Sequence, residues 1–252
     1  MPSDSNTLRF FSTPEEQPTY LEEFLPQPSR FRWFLTGAIF AFLVCGLMSV
    51  HNFLAVSQPV GHGILVVEGW IPPDTLAGAM DVLNSRKYRQ ILVVGGPFEN
   101  ENENDNPNHL ASYDQLGTER LKKLGIDANK LVAVNTAPVR FGRTYTSATA
   151  VQHWLDTTKT SDCCIDVLTA GLHARKSWVI FRSAIGDHYR VGIIAGPEVS
   201  YDPRFWFLST KGIRIVTRNL AGYAYSKSWV FLNGKFRGGI SQRAVLRWLP
   251  LP

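Results

Sequence analysis

Four short, mostly apolar runs in this chain each lead into residues able to do chemistry. Ile64–Val67 (ILVV) runs straight into Glu68, Gly69 and Trp70, and Ile91–Val94 (ILVV) into Gly95 and Gly96. Leu131–Val134 is followed by Arg140, Arg143 and Thr144, and Ile165–Leu168 by Thr169, Gly171, His173, Arg175 and Lys176. A carboxylate directly after four apolar residues is costly to bury unless it is paired. Glu68 is therefore one of two things. It accepts a ligand hydroxyl, holds a metal or acts as a general base, or else it caps the loop or pairs with a nearby arginine. Gly95-Gly96 lets backbone approach a ligand closely. Arg143 and Thr144 offer a guanidinium and a hydroxyl at a helix start, either as a phosphate cradle or as an N-cap beside a surface arginine. His173, Arg175 and Lys176 open another helix, whose positive end favours a neutral imidazole. Glu68 and His173 are the candidate catalytic pair. Gly69, Gly95, Gly96, Arg143, Thr144, Thr169, Arg175 and Lys176 are the candidate ligand contacts, and this mixture suits a small anionic or phosphorylated ligand.

Several chemistries lack their signatures. The chain has no GxGxxG and no GxxxxGK[ST], so the usual dinucleotide and nucleoside-triphosphate fingerprints are missing and no cofactor is indicated. It has no GxSxG elbow. Of its three cysteines, Cys45 lies in an apolar run, and Cys163 and Cys164 are adjacent. No CxxC or Cys/His zinc spacing occurs, and no metal site is expected. Glu99–Asn108 (ENENENDNPN) lacks the EF-hand glycine and closing glutamate. It reads as a solvated loop on the ligand side of the second strand, where it can serve as a flap.

These residues need a scaffold to bring them together. Apolar runs without polar alternation, separated by helical patterns, predict an α/β fold with a parallel sheet covered on both faces. Five strands are expected: Ile64–Val67, Ile91–Val94, Leu131–Val134, Ile165–Leu168 and Val191–Ala195. Between them, Asp74 is placed to cap a helix carrying Leu76, Met80, Leu83 and Lys87 or Tyr88 on one face. Leu110–Leu124 reads as a second helix, stopped by Gly125. Thr144 is placed to cap a third, with Ala148, Val151 and Leu155 inward, and His173–Ile185 forms a fourth. Right-handed crossovers make the sheet Rossmann-like and doubly wound. Ligands of such sheets bind beyond the carboxyl ends of the strands, where strand order reverses. Beyond Pro197, Pro203–Ser209 and Ile213–Val230 read as helices and Asn233-Gly234 as a turn.

One further segment fixes the setting. Trp33–Val50 holds no Asp, Glu, Lys or Arg. Its roughly 18 residues make about 27 Å of helix, close to the ~30 Å hydrocarbon core. The expected layout is a disordered cytoplasmic tail over 1–30 and a transmembrane helix over 31–55. The α/β domain then covers 61–235, with a basic aromatic tail over 236–252. A signal peptide cleaved near Ala55-Val56-Ser57, or a buried core helix, is the competing reading of the span. Arg30 and Arg32 precede the span and no Lys or Arg follows it until Arg86. The positive-inside rule then puts the N-terminus in the cytoplasm and the domain outside the plasma (inner) membrane. The net charge is +5. From Ser200 onward nine Lys or Arg face the single acid Asp202, interleaved with aromatics such as Trp206, Tyr225, Trp229 and Trp248. This pattern fits either an anionic lipid surface or a plain solvated face, and an extracytoplasmic domain disfavours nucleic acid as a partner.

The ordered set VVEGWIPPD, ILVVGGP, RTYTSA and LTAGLHARKS, across about residues 61–230, resembles the YdcF/SanA/ElyC-like proteins. The resemblance is to the branch with VVEGW at the first strand. It implies a Rossmann-like domain, often behind one membrane helix, and a part in bacterial envelope integrity, including peptidoglycan assembly and its lipid carrier. One cytosolic relative binds S-adenosylmethionine. Four sites differ from the common pattern: Glu68-Gly69 stands in place of Leu-Gly, Arg143-Thr144-Tyr145-Thr146-Ser147 in place of Asn-Thr-x-Glu-Asn, Tyr113 in place of a glutamate of the second helix, and His173-Ala174-Arg175-Lys176 in place of His-x-x-Arg. The alternatives are a non-catalytic, membrane-tethered interaction module, or a protein that binds a nucleotide or S-adenosylmethionine. A reporter active only outside the cytoplasm, fused after Pro252, should be active; activity of a cytoplasm-only reporter there reverses the orientation.

Overall fold

The structure is a computed structural model that describes residues 30–85, 87–98 and 110–236. The tail expected over 1–30 (Arg30 excepted), the acidic loop and nearly all of the basic tail lie outside the described residues. The chain divides into two units, Met1–Leu47 and Met48–Pro252. The described part of the first is most of helix α1, Arg30–Leu54, which has 25 residues. It is the one helix among the described residues long and apolar enough to cross a membrane. Trp33, Phe34, Ile39, Phe40 and Phe42 are exposed around it, so its apolar character is not confined to one stripe. Its hydroxyl at Thr36 is satisfied internally by the Arg32 carbonyl, 2.9 Å away.

The second unit is built on five strands, β1 (His62–Glu68), β2 (Lys87–Gly95), β3 (Leu131–Asn135), β4 (Cys164–Ala170) and β5 (Arg190–Gly196). Their order is β3-β2-β1-β4-β5, and every neighbouring pair is parallel. The chain therefore works outward from β1 to β3, returns to the other side of β1, and works outward again to β5. The reversal falls between β1 and β4, so the crevice at their carboxyl ends is the expected ligand position.

Alternation along β1 assigns its side chains to two cores. Ile64 and Val66 join Leu92, Val94, Ile165, Val167 and Ile193 against α5 (Arg143–Thr158) and α6 (Ala174–Ile185). Leu65 and Val67 join Val93, Leu168 and Ile194 on the opposite face. That face is covered by α2 (Pro73–Gly78), α3 (Met80–Ser85) and α4 (Tyr113–Lys123). Helices on both faces explain why the strands are mostly apolar along their whole length; the exceptions inside β4, Asp166 and Thr169, are buried and hydrogen-bonded. A third, smaller core gathers Leu54 from the end of α1 with Leu172, Trp206 and Val216. It lies under the last helix, α7 (Thr210–Phe236).

Several local expectations are corrected. The first helix is split into α2 and α3, and Lys87 and Tyr88 belong to β2, pairing with His62 and Gly63. Asp74 lies in the first turn of α2 behind Pro72, which is the N-cap and has no side-chain hydrogen bond. Gly142, not Thr144, is the N-cap of α5. Asn233-Gly234 continues α7 instead of turning. Phe181 is fully buried between α6 and the sheet. Phe181→Ala should cost about 3–5 kcal/mol in urea unfolding, whereas a loss under about 1 kcal/mol contradicts this packing.

Candidate functional site

The crevice between β1 and β4 is organised by a buried carboxylate. Glu68 is the last residue of β1 and is 2% exposed. Its Oε2 accepts hydrogen bonds from the Thr169 hydroxyl on β4 and from Ser177 Oγ on α6, the latter at 3.1 Å. Thr169 and Ser177 are themselves wholly buried. Burial pushes the Glu68 carboxyl above its ordinary value, against the pull of both hydroxyls, the Lys176 charge and Trp70. Glu68 thus ties β1, β4 and α6 together at their shared edge.

His173 ends the 3-10 turn Gly171–His173 and stands as N-cap of α6. The indole of Trp70, two residues beyond Glu68, packs edge-on against its ring at 5.0 Å between centroids. His173 Nδ1 lies 3.2 Å from Asn219 Oδ1, and Asn219 Nδ2 donates to the Ile215 carbonyl at 2.9 Å. The second bond fixes the amide so that its oxygen faces the imidazole. An amide oxygen only accepts, so the ring proton is assigned to Nδ1. Nε2 then carries a lone pair, 3.4 Å from the hydroxyl of Thr144. Burial, followed by the Lys176 charge and those of Arg218 and Arg143, holds the imidazole down at about 3 against the pull of Asn219. His173 is neutral at physiological pH. A hydroxyl, an imidazole base and an orienting amide in series form an arrangement able to activate an O–H group.

Cations surround this base. Lys176 is half-buried one turn into α6. Burial lowers its pKa, against the attraction of Glu68. Arg143 opens α5 and Arg218 projects from α7, both exposed. Among the described residues no carboxylate oxygen lies within 4.0 Å of a charged nitrogen of Lys176 or Arg218. Neither α5 nor α6 has a side-chain hydrogen bond at its N-cap.

Of the residues expected from sequence, Glu68, Thr144, Thr169, His173 and Lys176 come together here, and Arg143 acts electrostatically on His173. The others do not join them. The close approach that Gly69 and Gly95 permit is filled by the start of α4. A Cβ on Gly69 would meet the Tyr113 carbonyl oxygen at 2.1 Å, and one on Gly95 the Asp114 nitrogen at 2.7 Å. Gly96 faces Thr136, and its carbonyl accepts from the Tyr113 N–H at 2.9 Å. Arg175 turns away, donating from Nε to the Phe53 carbonyl and stacking 4.1 Å over the Phe53 ring. Sequence reasoning missed Ser177, Arg218 and Asn219. Ser177 lies one helical turn past His173, a spacing that offered a signal. Asn219 offered none, since nothing local ties α7 to α6.

Neither a scan against protein-family models nor a search of curated proteins finds a match for this chain.

The pH dependence of stability follows from the histidine. Unfolded, it takes up a proton near 6.5; folded, only near 3. Its contribution is complete above about pH 6.5 and is lost as pH falls toward 3. Glu68 works oppositely: its raised value contributes most below its ordinary 4.5 and loses that contribution as pH rises through the folded value. Comparison with a His173→Asn variant isolates the histidine. Between about pH 7 and 5, the wild type should lose thermal stability more steeply than His173→Asn. Parallel curves contradict a neutral, enclosed imidazole.

Proposed function

We propose that this protein is a membrane-anchored envelope protein that binds an anionic, phosphorylated cell-envelope precursor in the crevice between β1 and β4. The observation that carries the reading is the series Thr144 hydroxyl, His173 imidazole and Asn219 amide, with the charges of Lys176, Arg218 and Arg143 acting on the imidazole. Positive charge and a neutral proton acceptor at two helix starts suit a phosphate or pyrophosphate group: the cations hold its charge, and His173 Nε2 accepts from its O–H or from Thr144. Transfer or hydrolysis of the phosphoryl group is the reaction open to such a site.

Two features favour a ligand carried at a membrane surface. Leu172 and Arg175, on either side of His173, both contact the end of the apolar helix through Leu54 and Phe53. The resemblance to YdcF/SanA/ElyC-like proteins points to the same class of precursor, and Arg30 and Arg32 ahead of the span favour a cytoplasmic N-terminus with the domain outside the inner membrane. In this reading the protein supports peptidoglycan assembly or the permeability barrier.

The test is calorimetric titration of the full chain in detergent with inorganic pyrophosphate and, separately, with a polyprenyl phosphate. Both should bind. Lys176→Ala and Arg218→Ala should each weaken binding by roughly 10- to 100-fold, the range of one charge-assisted hydrogen bond of about 1.5–3 kcal/mol. The exposed Arg218 should fall at the lower end. Absence of binding by either probe, or affinities unchanged in both variants, overturns the proposal.

A further inference from the structure

A second cluster lies at the other end of the same two central strands. His62 opens β1, while Cys163 and Cys164 stand where β4 begins. A ring nitrogen of His62 and the two Sγ atoms all lie within 4.8 Å of one another. Both cysteines are free thiols; Cys163 and His62 are exposed, and Cys164 is buried. The strands run seven residues each from this cluster to Glu68 and Ala170, so it shares no residue with the crevice.

The local backbone explains the convergence. Gly63 has φ +92, and β1 shifts register against β2 between Gly63 and Ile64. A Cβ at Gly63 would meet the Cys164 carbonyl oxygen at 2.2 Å. Only glycine fits beside the Cys164 carbonyl in this backbone conformation, and the His62 ring lies next to the start of β4. The nearest acid along β4, Asp166, is already committed. Its carboxylate accepts from the Val60 and Gly61 N–H groups at 2.7 Å each and from the Tyr88 hydroxyl at 2.8 Å. The donor set open to an ion is thus one imidazole and two thiols.

We propose that His62, Cys163 and Cys164 bind a thiophilic d10 cation of the Zn²⁺ class, with solvent in the fourth position. Thiolate and imidazole are the donors such an ion prefers, at about 2.3 Å for sulfur and 2.0–2.1 Å for nitrogen. Tetrahedral bonds of those lengths separate the donors by roughly 3.5–3.8 Å, so small side-chain rotations close the set from its present spread. Each bound thiol releases its proton to solvent. The ion joins the start of β1 to the start of β4, as Glu68 joins their ends. Its role is a clamp on the central strand pair.

The test uses the full chain in detergent, fully reduced, in a Cys45→Ser background so that only the adjacent pair contributes thiols. Titration with Cd²⁺ should give a thiolate-to-metal charge-transfer band that saturates at one ion per chain. Zn²⁺ should compete for it and raise the thermal midpoint. His62→Ala and Cys163→Ser alter exposed positions and should fold. Each should weaken binding by at least about tenfold, since even loss of an outer-shell partner costs that much, and should abolish the Zn²⁺-dependent rise. Three results overturn the proposal: no charge-transfer band in the reduced protein, a band unchanged in both variants, or a chain isolated with a Cys163–Cys164 disulfide that takes up no ion after reduction.

Discussion

The carboxylate of Glu68 is almost wholly withdrawn from water at the end of the central strand, and the rest of the crevice is arranged around that cost. An isolated buried carboxylate is strongly unfavourable, so its partners must be in place for the fold to close. Those partners come from β4 and from the second turn of α6, through Thr169 and Ser177. Satisfying one acid therefore sets where α6 begins relative to β1. Because His173 is the N-cap of that helix, the same bonds set the position of the imidazole. Through those contacts Glu68 helps to place His173, whatever further part the acid itself takes.

The electrostatics reinforce this division. Lys176 acts on both the acid and the base: its charge helps to keep Glu68 ionisable and also resists protonation of His173. Removing it would relieve the histidine and burden the glutamate at once. A cation on each of three helices, α5, α6 and α7, gives the crevice a positive field that no single element supplies. Fields of this kind, focused by a low-dielectric wall, raise the local concentration of anions and speed their capture.

Much of the scaffold was legible in the residues. Short, mostly apolar runs marked all five strands, with Asp166 the one acid inside them, because strands covered on both faces have no polar side to show. Ala148, Val151 and Leu155 lie inward on α5 as their spacing implied. Lys87 and Tyr88 misled because their spacing from Leu76 and Leu83 continued a helical stripe, while pairing with His62 and Gly63 extended β2 instead. Asn233-Gly234 misled because local turn preference is worth about 1 kcal/mol per residue, an amount that a long packed helix absorbs. In the crevice, the rule of strand reversal selected Glu68, Thr144, Thr169 and His173 from geometry alone. The glycines did not follow it, since packing of α4 against the sheet uses the same small residues as close approach to a ligand. Asn219 was invisible because its role depends on a helix arriving from far along the chain.

That late arrival has a consequence for how the protein comes into being. All five strands and the helices between them are synthesised before α7, so a growing chain can complete its sheet while the imidazole still lacks the amide that selects its tautomer. The orientation of the imidazole is then among the last features of the fold to be set. A chain cut short ahead of Thr210 would keep all five strands but lack both that amide and the Val216 side chain that closes the third core.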